Sequence, residues 1–471
     1  MLAMETSQLS PPQVFVRRRA ALAQVLGEQG VLLYCGSPRP RNYPATIFPF
    51  RGDSSFLYFV GTEFPQGVLR MHRGRSTLYL FDPGPDDALW HGQATPWSEI
   101  ARKTGVENVE NLDQLQAIES PSNLATLPAV DLETRISQSR FLGRSWTGSH
   151  RSFVLLEQDQ KLMEAIIRLR LENDEAAITE MKAAIQATQA GHLAAMAITR
   201  PGLFEYEICA QLEFEFAKRN TIPAYSSIVT VHGEVLHNTE RNNRLQAGEL
   251  LLVDAGAEHH GWASDITRTW PVSGRFSPTQ RALYDIVLQA QLDSIAMVRP
   301  GVRYRDIHLR SCLTLAQGLV DEGILQGNPE NLVERGAHAI FYPHGTGHLL
   351  GLDTHDMENF GDHAGYPVNR NRDSQFGLKY LRLDRDLAAN MVVTIEPGFY
   401  QVPAILNRED LAGKFIAEGS INRDKLSRFA DVRGIRIEDD VLCTQQGAEV
   451  LSNNIPKSAN DIEAQVGQAT V

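Results

Sequence analysis

Between Leu250 and Val272 the chain reads Leu-Leu-Leu-Val-Asp-Ala-Gly-Ala-Glu-His-His-Gly-Trp-Ala-Ser-Asp-Ile-Thr-Arg-Thr-Trp-Pro-Val. Leu250 to Val253 is an apolar run of strand length that ends on Asp254, and Ile266, Thr267, Thr269 and Trp270 are β-formers. The stretch is therefore expected to fold as two paired strands. A two-residue turn at His259-His260 sets Asp254 opposite Asp265. Opposed residues share one face of a ladder with Cβ atoms about 4.5–5.5 Å apart, and two carboxylates that close repel unless something positive sits between them. A divalent cation is the simplest such partner. Taken alone, two aspartates at this spacing fit a plainer reading of one turn residue and one exposed residue, and the motifs further along decide between the two.

A chain of 471 residues is too long for one ordinary core and points to two or three domains. Its 42% hydrophobic and 22% charged residues suit a soluble globular protein. A net charge of −12 argues against nucleic acid or an anionic membrane as the main partner. No apolar run approaches the roughly 20 residues of a membrane span, and no secretory signal opens the sequence. Cys35, Cys209, Cys312 and Cys443 are scattered without Cys-x-x-Cys spacing and read as reduced, buried thiols, so a cytoplasmic location is expected.

Along the chain, a helix from Pro12 leads into an apolar strand at Gly30 to Cys35. Strand-like runs recur at Phe56–Val60, Val68–Met71 and Ser76–Phe81, with a helix at Trp97–Thr104, which makes residues 1–155 an α/β domain without a nucleophile or metal motif. Residues 156–471 open with helices over 155–196 and Glu205–Lys218, then a strand at Ser227–Val231, the central hairpin, and helices at Pro278–Val298 and Tyr304–Glu322.

Three later segments carry chemistry. Tyr342-Pro-His344-Gly-Thr-Gly-His348 runs on to His355 and Asp356, displaying three imidazoles on a backbone whose glycines allow close approach to a ligand. The glycines at 345, 347 and 351 fit neither the dinucleotide fingerprint nor a phosphate loop. Met391 to Ile395 is an apolar strand that ends on Glu396 before Pro397-Gly398, and in Gly434 to Val441 the residues Arg436 and Glu438 alternate with Ile435, Ile437 and Asp439. Each carboxylate alone reads as a surface or ion-paired group. Four strand-borne carboxylates and one imidazole together are costly to bury and make a metal cluster the economical reading. Four negative charges balance two divalent cations, and a donor set of oxygens with one imidazole favours Mn²⁺, with Co²⁺, Zn²⁺ or Fe²⁺ also allowed. Two such ions suit hydrolysis.

With these motifs in hand, the sequence resembles the pita-bread metallopeptidases that cleave before proline, the prolidase (Xaa-Pro dipeptidase) and aminopeptidase P group. Arg51-Gly-Asp53-Ser-Ser-Phe-Leu-Tyr58 and Leu89-Trp90-His91-Gly92 resemble the N-terminal domain of that group, and Asp254, Asp265, His348, Glu396 and Glu438 resemble its metal ligands in order, spacing and flanks. The resemblance implies an α/β N-terminal domain followed by an α+β pita-bread catalytic domain, a curved antiparallel sheet flanked by helices. It implies that Asp254 holds one metal, that His348 and Glu396 hold the other, and that Asp265 and Glu438 bridge them. It further implies Glu396 as general acid/base, His355 at the oxyanion, His237, His344 and Arg382 as substrate-contacting groups, Arg436 and Tyr225 as supports of Asp254, a small peptide substrate with proline second, and a homodimer. Asn238 and the loop Val231-His-Gly-Glu234 depart from the group's usual wording, which bears on the substrate pocket.

Gly365-Tyr-Pro, Tyr380-Leu-Arg382 and the insert through Leu406-Asn-Arg408 and Phe429 resemble prolidase more than aminopeptidase P. The expectation is therefore a dinuclear Mn²⁺-dependent Xaa-Pro dipeptidase, with aminopeptidase P on longer peptides as the alternative and a non-catalytic peptide binder as a third reading. Arg382 would fork onto the free carboxylate of a dipeptide, unless it pairs with Asp384 or Asp386 at the surface.

Overall fold

The computed structural model describes residues 10–146 and 153–469. Its chain divides into two compact units, one of residues 1–171 with 357–363 and one of residues 172–356 with 364–471.

The first unit is built on a mixed five-stranded sheet. Helix α1 (Pro12–Leu26) precedes β1 (Val31–Tyr34), α2 (Ser54–Val60), β2 (Val68–His72) and β3 (Arg75–Leu80). Then follow α3 (Ala88–His91), α4 (Trp97–Thr104), β4 (Asn108–Asn111), β5 (Ala125–Thr126), α5 (Leu132–Leu142) and α6 (Glu157–Leu171). The strand order is β4-β3-β2-β1-β5, with β1 parallel to β5 and β3 parallel to β4. Helix α6 packs on α1, so the change of unit falls at residue 171 rather than at the 155 of the sequence reading.

Phe56–Val60, expected as a strand, lies inside α2. The Asp53 carboxylate caps the helix by accepting from the Ser55 and Phe56 amides, Gly61 ends it in the left-handed region, and all seven helix residues are buried. A run apolar on every side carries no periodicity, so only its caps distinguish a buried helix from a strand. Arg18 and Arg19 of α1 then donate to the Tyr58 and Phe59 carbonyls, which the end of α2 leaves without intrahelical partners.

In the second unit every strand pair among the described residues is antiparallel. Helices α7 (Glu175–Ile198) and α8 (Glu205–Ala217) lead to β6 (Ile222–Pro223), β7 (Ile228–Thr230), β8 (Leu250–Asp254), β9 (Ala257–His259), β10 (Trp262–Ala263) and β11 (Thr267–Pro271). Helices α9 (Pro278–Met297) and α10 (Tyr304–Asp321) pack against each other. The later strands are β12 (Val392–Ile395), β13 (Gly398–Tyr400), β14 (Gly434–Arg436), β15 (Asp439–Thr444) and β16 (Gly447–Val450). The core runs from Met196 and Phe216 on α7 and α8 through Leu251, Val253 and Trp270 of the hairpin to Tyr284 and Leu315 on α9 and α10.

The hairpin register differs from the expected one by two residues. Asp254 lies opposite Thr267, and His259 opposite Trp262. The turn residues are His260 (φ 49°) and Gly261 (φ 86°), so the chain reverses one position later than His259-His260. Two positive φ angles in succession match the twist of the flanking strands, and glycine supplies the second without cost. A shift of two keeps every side chain on its own face. Asp254 and Asp265 thus remain on one face as diagonal neighbours, not as an opposed pair.

Candidate metal centre

Two ladders bring carboxylates to a common centre. In the first, Asp254 at the end of β8 and Asp265 before β11 flank the Tyr225 hydroxyl, which lies 2.6 Å from Asp254 Oδ1 and 2.5 Å from Asp265 Oδ1. In the second, Ile395 faces Asp439 and Gly398 faces Arg436 at one common offset, which sets Glu396 opposite Glu438. The Ile437 amide donates to the Pro397 carbonyl, so the ladder is continuous between those points.

His348 arrives from a segment that joins the edge of β12. Leu349 bridges Val393, the His348 amide donates to Thr394 Oγ1 at 3.1 Å, and the Glu396 amide donates to the Thr346 carbonyl at 2.8 Å. Gly347 permits this approach: a Cβ there would lie 2.1 Å from the Thr394 carbonyl oxygen and 2.3 Å from the Tyr304 hydroxyl. His348 Nδ1 lies 3.0 Å from the Leu349 carbonyl, which fixes the proton on that nitrogen and turns Nε2 inward as a lone-pair donor. Nε2 lies 3.4 Å from Asp265 Oδ2 and 3.8 Å from Glu396 Oε1.

One ligand atom each from Asp265, His348 and Glu438 lies within 4.8 Å of the others. Asp254, Asp265, His348 and Glu438 are all buried, and the Glu396 side chain is 16% exposed. Burial pushes the Glu438 carboxyl well above its ordinary range, reinforced by Asp265, Glu396 and Asp254. Burial likewise raises Glu396, to about 8, against the pull of Arg436. Burial also raises Asp254 and Asp265. Four carboxylates that strain to stay ionised beside one lone-pair imidazole form a donor set that divalent cations neutralise, so these residues fit a metal pair.

Arg436 Nη2 lies 2.6 Å from Asp254 Oδ2, and its Nε donates to Thr267 Oγ1, which in turn donates to Glu438 Oε2 at 2.6 Å. Burial and the neighbouring Asp254, Asp265 and Glu438 charges push the Tyr225 phenol far above its usual range, so it stays a proton donor. Behind the ladder, fully buried Arg268 donates to the Glu438 carbonyl and to Asp439 Oδ1, and Lys457 Nζ lies 2.6 Å from Asp439 Oδ2. Burial opposes the Asp439 charge, but Arg268 and Lys457 overcome it and hold the carboxyl well below its ordinary range. Asp440 accepts from the Asp265 amide.

The remaining sequence candidates border this centre. His355 stacks edge-on to His348 with ring centroids 4.2 Å apart. His344 Nε2 lies 2.8 Å from the Tyr400 hydroxyl and Nδ1 lies 3.7 Å from Glu396 Oε2; burial, with Arg436 adding, lowers its pKa to about 3. His237 is exposed, and its pKa is lowered by partial desolvation and by Arg436 and Arg382. The charge of Arg382 is felt at His237, His344 and Glu396. Asp384 pairs with Arg303, and Asp386 with Arg370.

Thr267, Arg268, Asp439, Asp440 and Tyr400 are additions to the sequence-derived set. The signal for Thr267 was its place opposite Asp254, visible only once the turn is set correctly. That for Asp440 was the alternation itself, which puts it on the Arg436 and Glu438 side. The Arg268–Asp439 pair gives no sequence signal, because its residues are far apart along the chain.

Residues 179–445 match the model of metallopeptidase family M24, and residues 15–123 match the aminopeptidase P N-terminal domain. A Xaa-Pro aminopeptidase of Haemophilus influenzae is 32% identical over 96% of this chain and 97% of its own. A Xaa-Pro dipeptidase of Homo sapiens is 30% identical over 92% of this chain and 88% of its own. Among solved structures, Pseudomonas aeruginosa aminopeptidase PepP superposes with a TM-score of 0.78 at 29% identity, covering 97% of this chain and 98% of that one. Zinc-substituted E. coli aminopeptidase P in complex with product superposes with a TM-score of 0.78 at 28% identity, covering 98% of each chain. An aminopeptidase P-type N-terminal domain thus precedes an antiparallel, helix-flanked pita-bread domain that holds the carboxylate and imidazole cluster, and the chain belongs to metallopeptidase family M24.

Proposed function

We propose that this protein is a metal-dependent Xaa-Pro aminopeptidase that removes the first residue from peptides with proline in second place. The observation that carries the reading is the convergence of Asp254, Asp265, His348, Glu396 and Glu438 on one buried centre. The choice of aminopeptidase over the dipeptidase favoured by sequence wording rests on the relatives: matches of the first kind dominate, at full length and with full-length superposition.

When bound, a pair of divalent ions supplies Lewis acidity to the scissile carbonyl and lowers the pKa of water. Manganese is proposed from the oxygen-rich donor set. Glu396 takes the proton of the attacking water and returns it to the proline nitrogen as the bond breaks. His355, beside His348, donates to the oxyanion, a role worth about 3–4 kcal/mol. His237 and His344 border the substrate, and His344 reaches it as a neutral imidazole because burial suppresses its charge. Arg436 and Tyr225 hold Asp254 in place. The four buried free cysteines support a reducing, cytoplasmic setting.

A second reading, the dipeptidase, draws on Arg382. The influence of its charge on His237, His344 and Glu396 supports a meeting with a substrate carboxylate. A panel of Ala-Pro, Ala-Pro-Pro and Ala-Pro-Pro-Ala with Mn²⁺ separates the two. Release of alanine from the longer peptides supports the aminopeptidase, and hydrolysis of the dipeptide alone would replace it with the dipeptidase.

A further inference from the structure

A second group of metal-ligating side chains lies at the far end of the central hairpin. Glu180 of α7, His259 and His260 each offer a ligand atom, all within 4.8 Å of one another. Glu180 Oε2 lies 2.7 Å from His259 Nδ1 and 3.1 Å from His260 Nδ1. Side-chain exposure is 8% for Glu180, 12% for His259 and 24% for His260.

Adjacent residues of a strand project to opposite faces, so two consecutive histidines converge only where the backbone changes hand between them. That happens here. His260 adopts φ 49°, and the two ring centroids come within 4.1 Å. A non-glycine residue in this region costs roughly 1–2 kcal/mol, and Asn or Gly would fill the turn more cheaply. What the turn gains from histidine is a second imidazole facing Glu180.

We propose that Glu180, His259 and His260 bind one borderline divalent cation, zinc in the first place, which staples the hairpin tip to α7 apart from the catalytic centre. Two imidazoles with one carboxylate suit Zn²⁺, Co²⁺, Ni²⁺ or Cu²⁺ better than Mn²⁺ or Mg²⁺, which the oxygen-rich catalytic set prefers. Bonds of about 2.0–2.2 Å spread tetrahedral zinc ligands to roughly 3.4 Å apart, so the pairs at 2.7 and 3.1 Å open by about 0.7 and about 0.3 Å to admit the ion. The hairpin is already tied to the same helix by Thr188, whose Oγ1 lies 2.6 Å from Ser264 Oγ and accepts from the Ala257 amide. Glu180 stands eight residues earlier on α7, about 12 Å along its axis, so the ion closes the other end of this contact.

The test uses the full chain, stripped with chelator, reloaded with zinc chloride, dialysed, and assayed for zinc by mass spectrometry and for thermal melting. His260→Asn removes a ligand while keeping a residue that tolerates the left-handed turn, and Glu180→Gln removes another without touching the hairpin. The wild-type protein is expected to retain about one zinc equivalent more than either variant, and to gain more in melting temperature on zinc addition. Equal zinc content and equal zinc-induced stabilisation in all three proteins would overturn the proposal.

Discussion

The Tyr225 hydroxyl stands between two carboxylates, 2.6 Å from Asp254 Oδ1 and 2.5 Å from Asp265 Oδ1. Burial and the surrounding negative charge keep it protonated, so its single proton is shared between the two carboxylates it stands between. Tyr225→Phe removes the hydroxyl and little volume. The variant is expected to fold and to bind Mn²⁺ about 10- to 100-fold more weakly, as read by titrating activity against metal. An unchanged metal dependence would show that neither aspartate relies on the phenol.

Asp439 does not face the centre, yet it neutralises buried Arg268 and partly buried Lys457 beside the ladder that carries Glu438. Asp439→Asn leaves Arg268 without its charge partner at full burial, and is expected to destabilise the protein by about 3–5 kcal/mol. Denaturant unfolding of the metal-free protein reads this directly. A cost under 1 kcal/mol would mean that the network contributes little.

Metal removal is expected to reverse the usual pH trend between about pH 6.5 and 8. The folded Glu396 carboxyl titrates near 8, raised first by burial, whereas an unfolded glutamate has released its proton by about pH 4.3. The folded state therefore holds the extra proton. The stability this gives is complete below about pH 4.3 and is lost as pH rises through 8, at up to about 1.4 kcal/mol per pH unit for each such proton. Buried His192, His308, His338 and His344, with pKa values lowered by burial to between about 3 and about 4, act in the opposite sense only below about pH 6.5. Melting temperatures of chelator-treated protein should fall from pH 6.5 to 8, and added Mn²⁺ should flatten the trend. A rise with pH in chelator would contradict the account.

A substrate-binding role proposed for Arg382 predicts an effect on recognition more than on chemistry. Arg382→Ala is expected to raise KM for short peptides with a free carboxylate near the site by about tenfold or more, and to change kcat less. Steady-state kinetics on Ala-Pro-Pro and on a longer peptide with an amidated C-terminus measure it. An equal effect on both substrates would argue for a role in shaping the pocket.

Much of the second unit was legible because its signals are local. The apolar run before Asp254, the helix start at Pro278 and the strand stopped by Pro397-Gly398 each carry their own punctuation. Five ligand candidates could be named because each charged residue sits where an apolar run ends or alternates. What remained hidden depends on partners distant in sequence. Phe56–Val60 looked like a strand because a helix buried all round shows no period, and only the Asp53 cap marks it. The hairpin register was misread by two because His260 takes a left-handed backbone that glycine or asparagine would ordinarily signal. The opposition of Glu396 and Glu438 needs the pairing of β12 with β15 and of β13 with β14, which no local pattern encodes. The lean toward a dipeptidase came from short wordings around Arg382, whereas the full-length likeness to aminopeptidases samples the whole chain.

The most direct test of the account is anomalous diffraction from crystals soaked in Mn²⁺. Two peaks about 3.5–4 Å apart are predicted, enclosed by Asp254, Asp265, His348, Glu396 and Glu438. Crystals that diffract well and show no manganese among those five side chains would contradict it.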